Sequence, residues 1–158
     1  MEKALIPGSF DPITLGHMDI VERAAGLFDT VYLLLCTNSE KKDMFTREQR
    51  LELMKTACTG LDNVIVDVCD GLLADYAALH DIAVIVKGAR TGADFDYEKM
   101  LYNINARLGD GLETILLPAR AELSYISSTY VRELVKYKKP LYGAVPAGIV
   151  EMIYNSHY

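Results

Sequence analysis

"IPGSFDPITLGH", residues 6 to 17, sets two glycines, two prolines, two hydroxyl side chains, an aspartate and a histidine directly behind a short apolar run. A strand-to-helix connection in an α/β domain needs only about two to six residues of turn chemistry, so this one carries more polar groups than a simple link requires. The apolar residues before it and the helical spacing of Ile20, Val21, Ala24, Ala25 and Phe28 after it read as strand, turn and helix. Surplus polar chemistry at the carboxyl end of such a strand points to a bound ligand.

The same alternation continues outward along the chain. Apolar runs at residues 3–7, 30–36, 63–68, 82–87 and 113–117 are short enough to be buried strands. Helical patterns fall between them at 17–28, 72–80, 94–107 and 128–137, and Thr46 with Gln49 forms a capping-box signature ahead of Leu51, Leu53, Met54 and Ala57. A last helix follows Pro146, whose fixed φ suits the first helical position. This predicts one Rossmann-like, doubly wound α/β domain over residues 1–158, with a five-stranded parallel sheet, helices on both faces and a helical C-terminal segment from about residue 128. Ligands of such a sheet bind beyond the carboxyl ends of the strands, where strand order reverses.

With 158 residues, 51% of them hydrophobic, the chain can bury a sizeable core without disulfides or metals. Its net charge of -6 argues against a nucleic-acid partner, because phosphate-backbone binding shows as a basic excess. A phosphate-bearing ligand must then be small and locally held. Cys36, Cys58 and Cys69 are odd in number and in no metal-ligand spacing, which predicts free thiols in a reducing cytoplasm. No signal-peptide core precedes residue 10 and no apolar run approaches the ~20 residues of a membrane span, so no membrane association is expected.

Three stretches carry candidate chemistry. In the first, His17 stands at a helix N-terminus, where free N–H groups and the helix dipole favour an anion, and Ser9 adds a hydroxyl. Gly8 permits a sharp turn and Gly16 a close approach of backbone to a ligand. The alternative is a capped turn with an incidental histidine. The second, "YISSTYVRE" at 125–133, opens a helix with three hydroxyls and places Arg132 one turn inside, which makes either a second anion cradle or a serine-rich cap. The third, "VIVKGARTGADFDYE" at 84–98, ends a strand in Lys87, Gly88 and Arg90, again suited to phosphate unless the charges only solvate a loop. Lys41 and Lys42 in "NSEKKDMF" add cations at another strand end.

These stretches resemble the nucleotidyltransferase superfamily, whose first motif, (H/T)xGH, stands here as Thr14 to His17 and whose second, ISSTxxR, stands as Ile126 to Arg132. Within it, "PGSFDPITLGH", "MFTREQR", "KGARTGADFDYE" and "YISSTYVRE" are similar to the bacterial phosphopantetheine adenylyltransferases, in order from about residue 3 to residue 136. The resemblance implies transfer of the adenylyl group of ATP to 4'-phosphopantetheine, giving dephospho-coenzyme A and pyrophosphate. Related outcomes are a nucleotidyltransferase acting on nicotinamide mononucleotide or glycerol phosphate, and an adenylate-binding module without turnover. A pure binder has no need of a transition-state group such as His17.

By the same resemblance, His17, Lys41 and Arg90 would be catalytic, with His17 at the α-phosphate. Ser9 would touch the phosphates of both substrates, and Lys41 and Lys87 would hold the pantetheine phosphate, with Leu73 against the pantetheine arm. Phe10, Gly88, Ala89 and Arg90 would line the ATP site, Glu98 would contact the nucleotide, and Leu123, Ser124, Tyr125, Ile126, Ser127, Ser128 and Thr129 would close over it. Mg2+ would arrive on the ATP phosphates, with no metal ligands of the protein's own. A homohexamer is implied. Ser9, Lys87 and Leu123 stand where the family usually has threonine, arginine and often tryptophan, and lysine at 87 offers a point charge in place of a bidentate fork. The segment after residue 136 matches only around Val145 and Pro146, and His80 and His157 read as structural or exposed.

Overall fold

Successive side chains of the first strand leave on opposite faces, Ala4 and Ile6 joining one apolar cluster and Leu5 the other. The computed structural model describes residues 2–36 and 42–158. Its strands β1 (Lys3–Gly8), β2 (Thr30–Cys36), β3 (Val64–Cys69), β4 (Val84–Ala89) and β5 (Glu113–Pro118) form one parallel sheet in the order β3-β2-β1-β4-β5. Four of the five runs read from the sequence begin within a residue of these strands; β4 begins at Val84, two residues after the start of the apolar run.

On the larger cluster lie α1 (Leu15–Ala25), α2 (Arg47–Ala57), α5 (Ser128–Lys136) and α6 (Ala147–His157), which bury Val21, Met54, Val131 and Ile149 against Val31, Leu33 and Leu35. The other face receives α3 (Leu73–His80), whose Ala74 and Ala77 pack on Leu34 and Ile85. The sheet is thus covered on both sides, as its near-continuous apolar strands require. Beside it runs α4 (Gly92–Leu108), of which no residue is buried. The helix predicted over 17–28 spans Leu15–Ala25, because Thr14 caps it early and Gly26 ends it. Both halves of the Thr46–Gln49 capping box are formed. Pro146 stands one residue outside α6, as its N-cap.

The order in which the chain lays down its strands reverses between β1 and β4, which lie side by side and parallel and lead to opposite edges. The loops following Gly8 and Ala89 therefore open at one switch point, the place where a parallel sheet leaves a crevice. No helix among the described residues is long and apolar enough to cross a membrane.

Candidate active site

The loop after β1 is shaped by its two glycines for different reasons. A Cβ on Gly8 would fall 2.8 Å from the ring of Phe10. Phe10, at a positive φ of 41°, turns that ring into the core, where it is 3% exposed and stands edge-on to the His17 imidazole with centroids 5.0 Å apart. The Phe10 side chain is thus packing, and only its backbone is on offer to a ligand. At Gly16 a Cβ would lie 3.3 Å from the Ile126 carbonyl oxygen. The close approach expected there for a ligand is made by the protein's own 123–126 segment.

His17 is the third residue of α1, and it completes a capping box with Thr14. The Thr14 N–H donates to His17 Nδ1 at 3.1 Å, and the His17 N–H donates to Thr14 Oγ1 at 3.3 Å. With Nδ1 accepting, the imidazole proton sits on Nε2. Burial first, then the charges of Lys87 and Arg90, hold the His17 pKa down to about 4. Near neutral pH the ring is therefore an uncharged Nε2–H donor, which removes the conflict between an imidazolium and the positive helix end.

From the end of β4, Lys87 places Nζ 3.2 Å from Glu98 Oε1, and both side chains line a cleft with Pro7, Leu73, Tyr102 and Asn105. Arg90 is held by Asp94, whose Oδ2 accepts from the Arg90 N–H at 3.0 Å and from its Nε at 3.2 Å. Gly88 is tight against α1, where a Cβ would meet Ile20 Cγ1 at 3.0 Å. The structure so brings together His17, Lys87, Arg90, Glu98 and Leu73. Lys41 lies outside the described residues.

The second motif does more joining than cradling. Ser127 caps α5 by accepting from the Tyr130 N–H at 3.0 Å, and Ser128 Oγ donates to the Pro12 carbonyl at 2.8 Å. Arg132 Nη1 donates to the Asp11 carbonyl at 2.9 Å and Nη2 to Thr129 Oγ1 at 3.0 Å. Hydroxyls and guanidinium read as an anion cradle thus tie α5 to the loop after β1. Ile126 is in the core at 3% exposed, whereas Ser124, Tyr125 and Thr129 are exposed and Leu123 is half-buried.

Two positioning residues escaped the sequence reading. Asp11 accepts the Met44 and Phe45 N–H groups, each at 2.9 Å. Arg50, 2% exposed, donates to the Ser9 carbonyl at 2.9 Å and to Asp43 Oδ2 at 2.7 Å. Together they bind the segment just after Lys41 to the loop holding Ser9. From α6, His157 packs on Phe45 with centroids 4.4 Å apart, so the C-terminal helix braces the same segment. Asp19, 8% exposed, holds Arg120 at 2.8 Å and fixes the start of the 119–127 loop to α1.

All three cysteines carry free thiols. Cys36 and Cys69 are register partners on β2 and β3, and burial first, then the neighbouring thiol, pushes Cys36 up to about 11. Burial also raises Cys58 to about 11. Both are neutral near pH 7 and unsuited to nucleophilic work. Among the described residues no three His, Cys, Asp or Glu side chains cluster so as to hold a metal ion.

Residues 5–134 match the Cytidylyltransferase-like family. A phosphopantetheine adenylyltransferase of Symbiobacterium thermophilum is 47% identical over 92% of this chain and 90% of its own length. Another, from Desulforamulus reducens, is 41% identical over 99% of this chain and 98% of its own. A crystal structure from Vibrio parahaemolyticus, described as a candidate nicotinate-nucleotide adenylyltransferase, superposes with a TM-score of 0.75 over 99% of this chain and 94% of that one, at 20% identity, and so shares the fold. With its two motifs meeting at the β1–β4 switch point, the chain belongs to the cytidylyltransferase-like nucleotidyltransferases and, within them, to the phosphopantetheine adenylyltransferase family.

Proposed function

We propose that the protein transfers the adenylyl group of ATP to 4'-phosphopantetheine, giving dephospho-coenzyme A and pyrophosphate. An oxygen of the substrate's phosphate bonds to the α-phosphorus of ATP, and the bond from that phosphorus to the bridging oxygen breaks as pyrophosphate leaves. A phosphate monoester has a second pKa of about 6 and is largely dianionic near neutral pH, so it needs no general base. The protein's work is to position the reactants and to stabilise charge at the α-phosphate.

The observation that carries this reading is the Thr14 N–H bond into His17 Nδ1, which leaves Nε2–H as a neutral, oriented donor beside two cations. In this reading Nε2–H donates to a non-bridging α-phosphate oxygen. Arg90 draws the nucleotide phosphates, with the backbone of Phe10, Gly88 and Ala89 and the 123–129 segment around the nucleotide. Lys87 and Lys41 take the phosphate of the second substrate, Ser9 lies between the two, and Leu73 meets the pantetheine arm. The donor set of hydroxyls, amides and cations suits phosphate oxygens, and magnesium comes in on the phosphates of ATP.

The whole chain works as one domain in the cytoplasm, assembled with copies of itself. Tyr97, Met100, Ile104 and Leu108 of α4 are exposed and share one helix face, an apolar stripe that supports such assembly, and a hexamer is the expected size. Light scattering measures it; a monomer at micromolar concentration contradicts it. Pyrophosphate release with ATP and 4'-phosphopantetheine, beside nicotinamide mononucleotide, glycerol phosphate and CTP in place of ATP, tests the reaction. Turnover confined to the first pair supports it, and faster turnover with any other pair overturns it.

A further inference from the structure

Two features beside the loop after β1 cost stability, and both act on one peptide group. Phe10 holds a positive φ of 41°, a region that a bulky side chain enters only when its surroundings force it. Arg50 buries a guanidinium whose Nε–H has no hydrogen-bond partner among the described residues. A left-handed phenylalanine and an unmet buried donor are both penalties, so neither is explained by folding alone.

The peptide between Ser9 and Phe10 joins them. Arg50 Nη1 donates to the Ser9 carbonyl at 2.9 Å, while Nη2 is taken by Asp43 Oδ2 at 2.7 Å. A bond from a cation to a carbonyl is charge-assisted and stronger than one between neutral groups. The Ser9–Phe10 peptide is trans, so its N–H points opposite to its C=O, away from Arg50. Among the described residues the Phe10 N–H has no hydrogen-bond partner. Rotating this peptide would carry the φ of Phe10 back to negative values, but it would break the bond to Arg50. The Phe10 ring, held in the core edge-on to His17, fixes the other end of the peptide.

We propose that Arg50 is a positioning residue that holds the Ser9–Phe10 peptide against this relaxation with the Phe10 N–H presented to the nucleotide phosphates, so that a side chain of α2 sets the affinity for ATP without touching it. This rests on the reading above that the Phe10 backbone meets the nucleotide. A donor fixed in advance pays no ordering cost when the anion arrives. Asp43 neutralises the buried charge and takes no part in orienting the peptide.

Calorimetry and amide NMR on the full chain test this with Arg50→Met, Arg50→Lys and Asp43→Asn beside the parent protein. Arg50→Met is expected to weaken a non-hydrolysable ATP analogue at least about 10-fold, as follows from losing a charge-assisted hydrogen bond, and 4'-phosphopantetheine less than about 3-fold. Arg50→Lys, which keeps the charge and a donor for the Ser9 carbonyl, recovers part of that loss. Asp43→Asn leaves that bond in place and changes the analogue less than about 2-fold. In the parent protein the Phe10 amide resonance shifts when the analogue binds. If Arg50→Met does not fold, Arg50→Lys carries the test, with the analogue weakened about 3-fold. Unchanged affinity for the analogue in the folded arginine variant overturns the proposal, as does equal weakening of both ligands or an equal effect of Asp43→Asn. A Phe10 amide that responds alike in parent and Arg50→Met, at equal affinity, overturns the proposal alone. A Phe10 amide unmoved by the analogue in the parent overturns the nucleotide reading of Phe10 and the proposal with it.

Discussion

The backbone N–H of Thr14 donates to His17 Nδ1 across 3.1 Å, and that bond decides which imidazole nitrogen carries the proton. The same capping box starts α1, so the element that folds the loop also prepares the donor. His17→Ala should leave the affinity for an ATP analogue within a few fold and lower kcat at least ~100-fold, the loss that follows removal of one oriented transition-state donor. Equal losses in binding and turnover would remove His17 from that role. Thr14→Val should cost about 1 kcal/mol of stability through the lost cap, yet keep most of kcat because the backbone N–H remains.

Burial and two neighbouring cations hold the His17 pKa at about 4 against 6.5 for a free imidazole. The unfolded chain therefore takes up this proton first as pH falls, so the contribution of His17 to stability is full above about pH 6.5 and declines toward pH 4. Denaturation at several pH values should show a shallower decline for His17→Gln than for the parent. Turnover should fall below about pH 6 with the substrate's own phosphate, not with His17. A histidine resonance titrating at 6.5 and assigned to His17 would contradict both statements.

Asp11 closes the loop after β1 onto Met44 and Phe45 through two N–H groups. Asp11→Ala leaves those donors unpaired and should cost about 2–4 kcal/mol, seen as a lowered Tm. Asp11→Asn keeps one acceptor and should cost roughly half of that. A loss no larger than that of an exposed aspartate would show that the segment is held by other contacts.

Lys87→Ala should raise the Kd for 4'-phosphopantetheine about 10- to 150-fold, the range for losing a hydrogen bond to a charged group, and more than it raises that for ATP. The unpaired Glu98 carboxylate left behind adds to the loss. Lys87→Arg should keep most activity. Equal weakening of both ligands would move Lys87 to the nucleotide side.

Strand and helix order was legible in the sequence because both faces of the sheet are buried, which leaves short apolar runs, and because the Thr46–Gln49 capping box marks the start of α2, whereas the caps Thr14 and Thr91 start α1 and α4 two residues before the 17 and 94 expected from periodicity. Lys87 and Arg90 were legible at the end of β4, where the apolar run gives way to charge. Partnerships were not. Ser128 and Arg132 look like anion ligands along the chain, and only the fold shows them 116 and 121 residues away from the carbonyls they serve. Arg50 lies within a visible motif, but its bond to the Ser9 carbonyl spans 41 residues. Gly16 gave a true signal of close approach with the wrong neighbour, since a sequence does not tell a ligand from a loop.

Phosphorus-31 NMR of the full protein with Mg2+, ATP and 4'-phosphopantetheine follows the bonds themselves. Adenylyl transfer predicts loss of the three ATP resonances and of the monoester signal, with the coupled pair of a new phosphoanhydride and free pyrophosphate growing in equal amounts, and both slowed at least ~100-fold by His17→Ala. Appearance of ADP with inorganic phosphate, or an unchanged monoester signal while ATP is consumed, would contradict it.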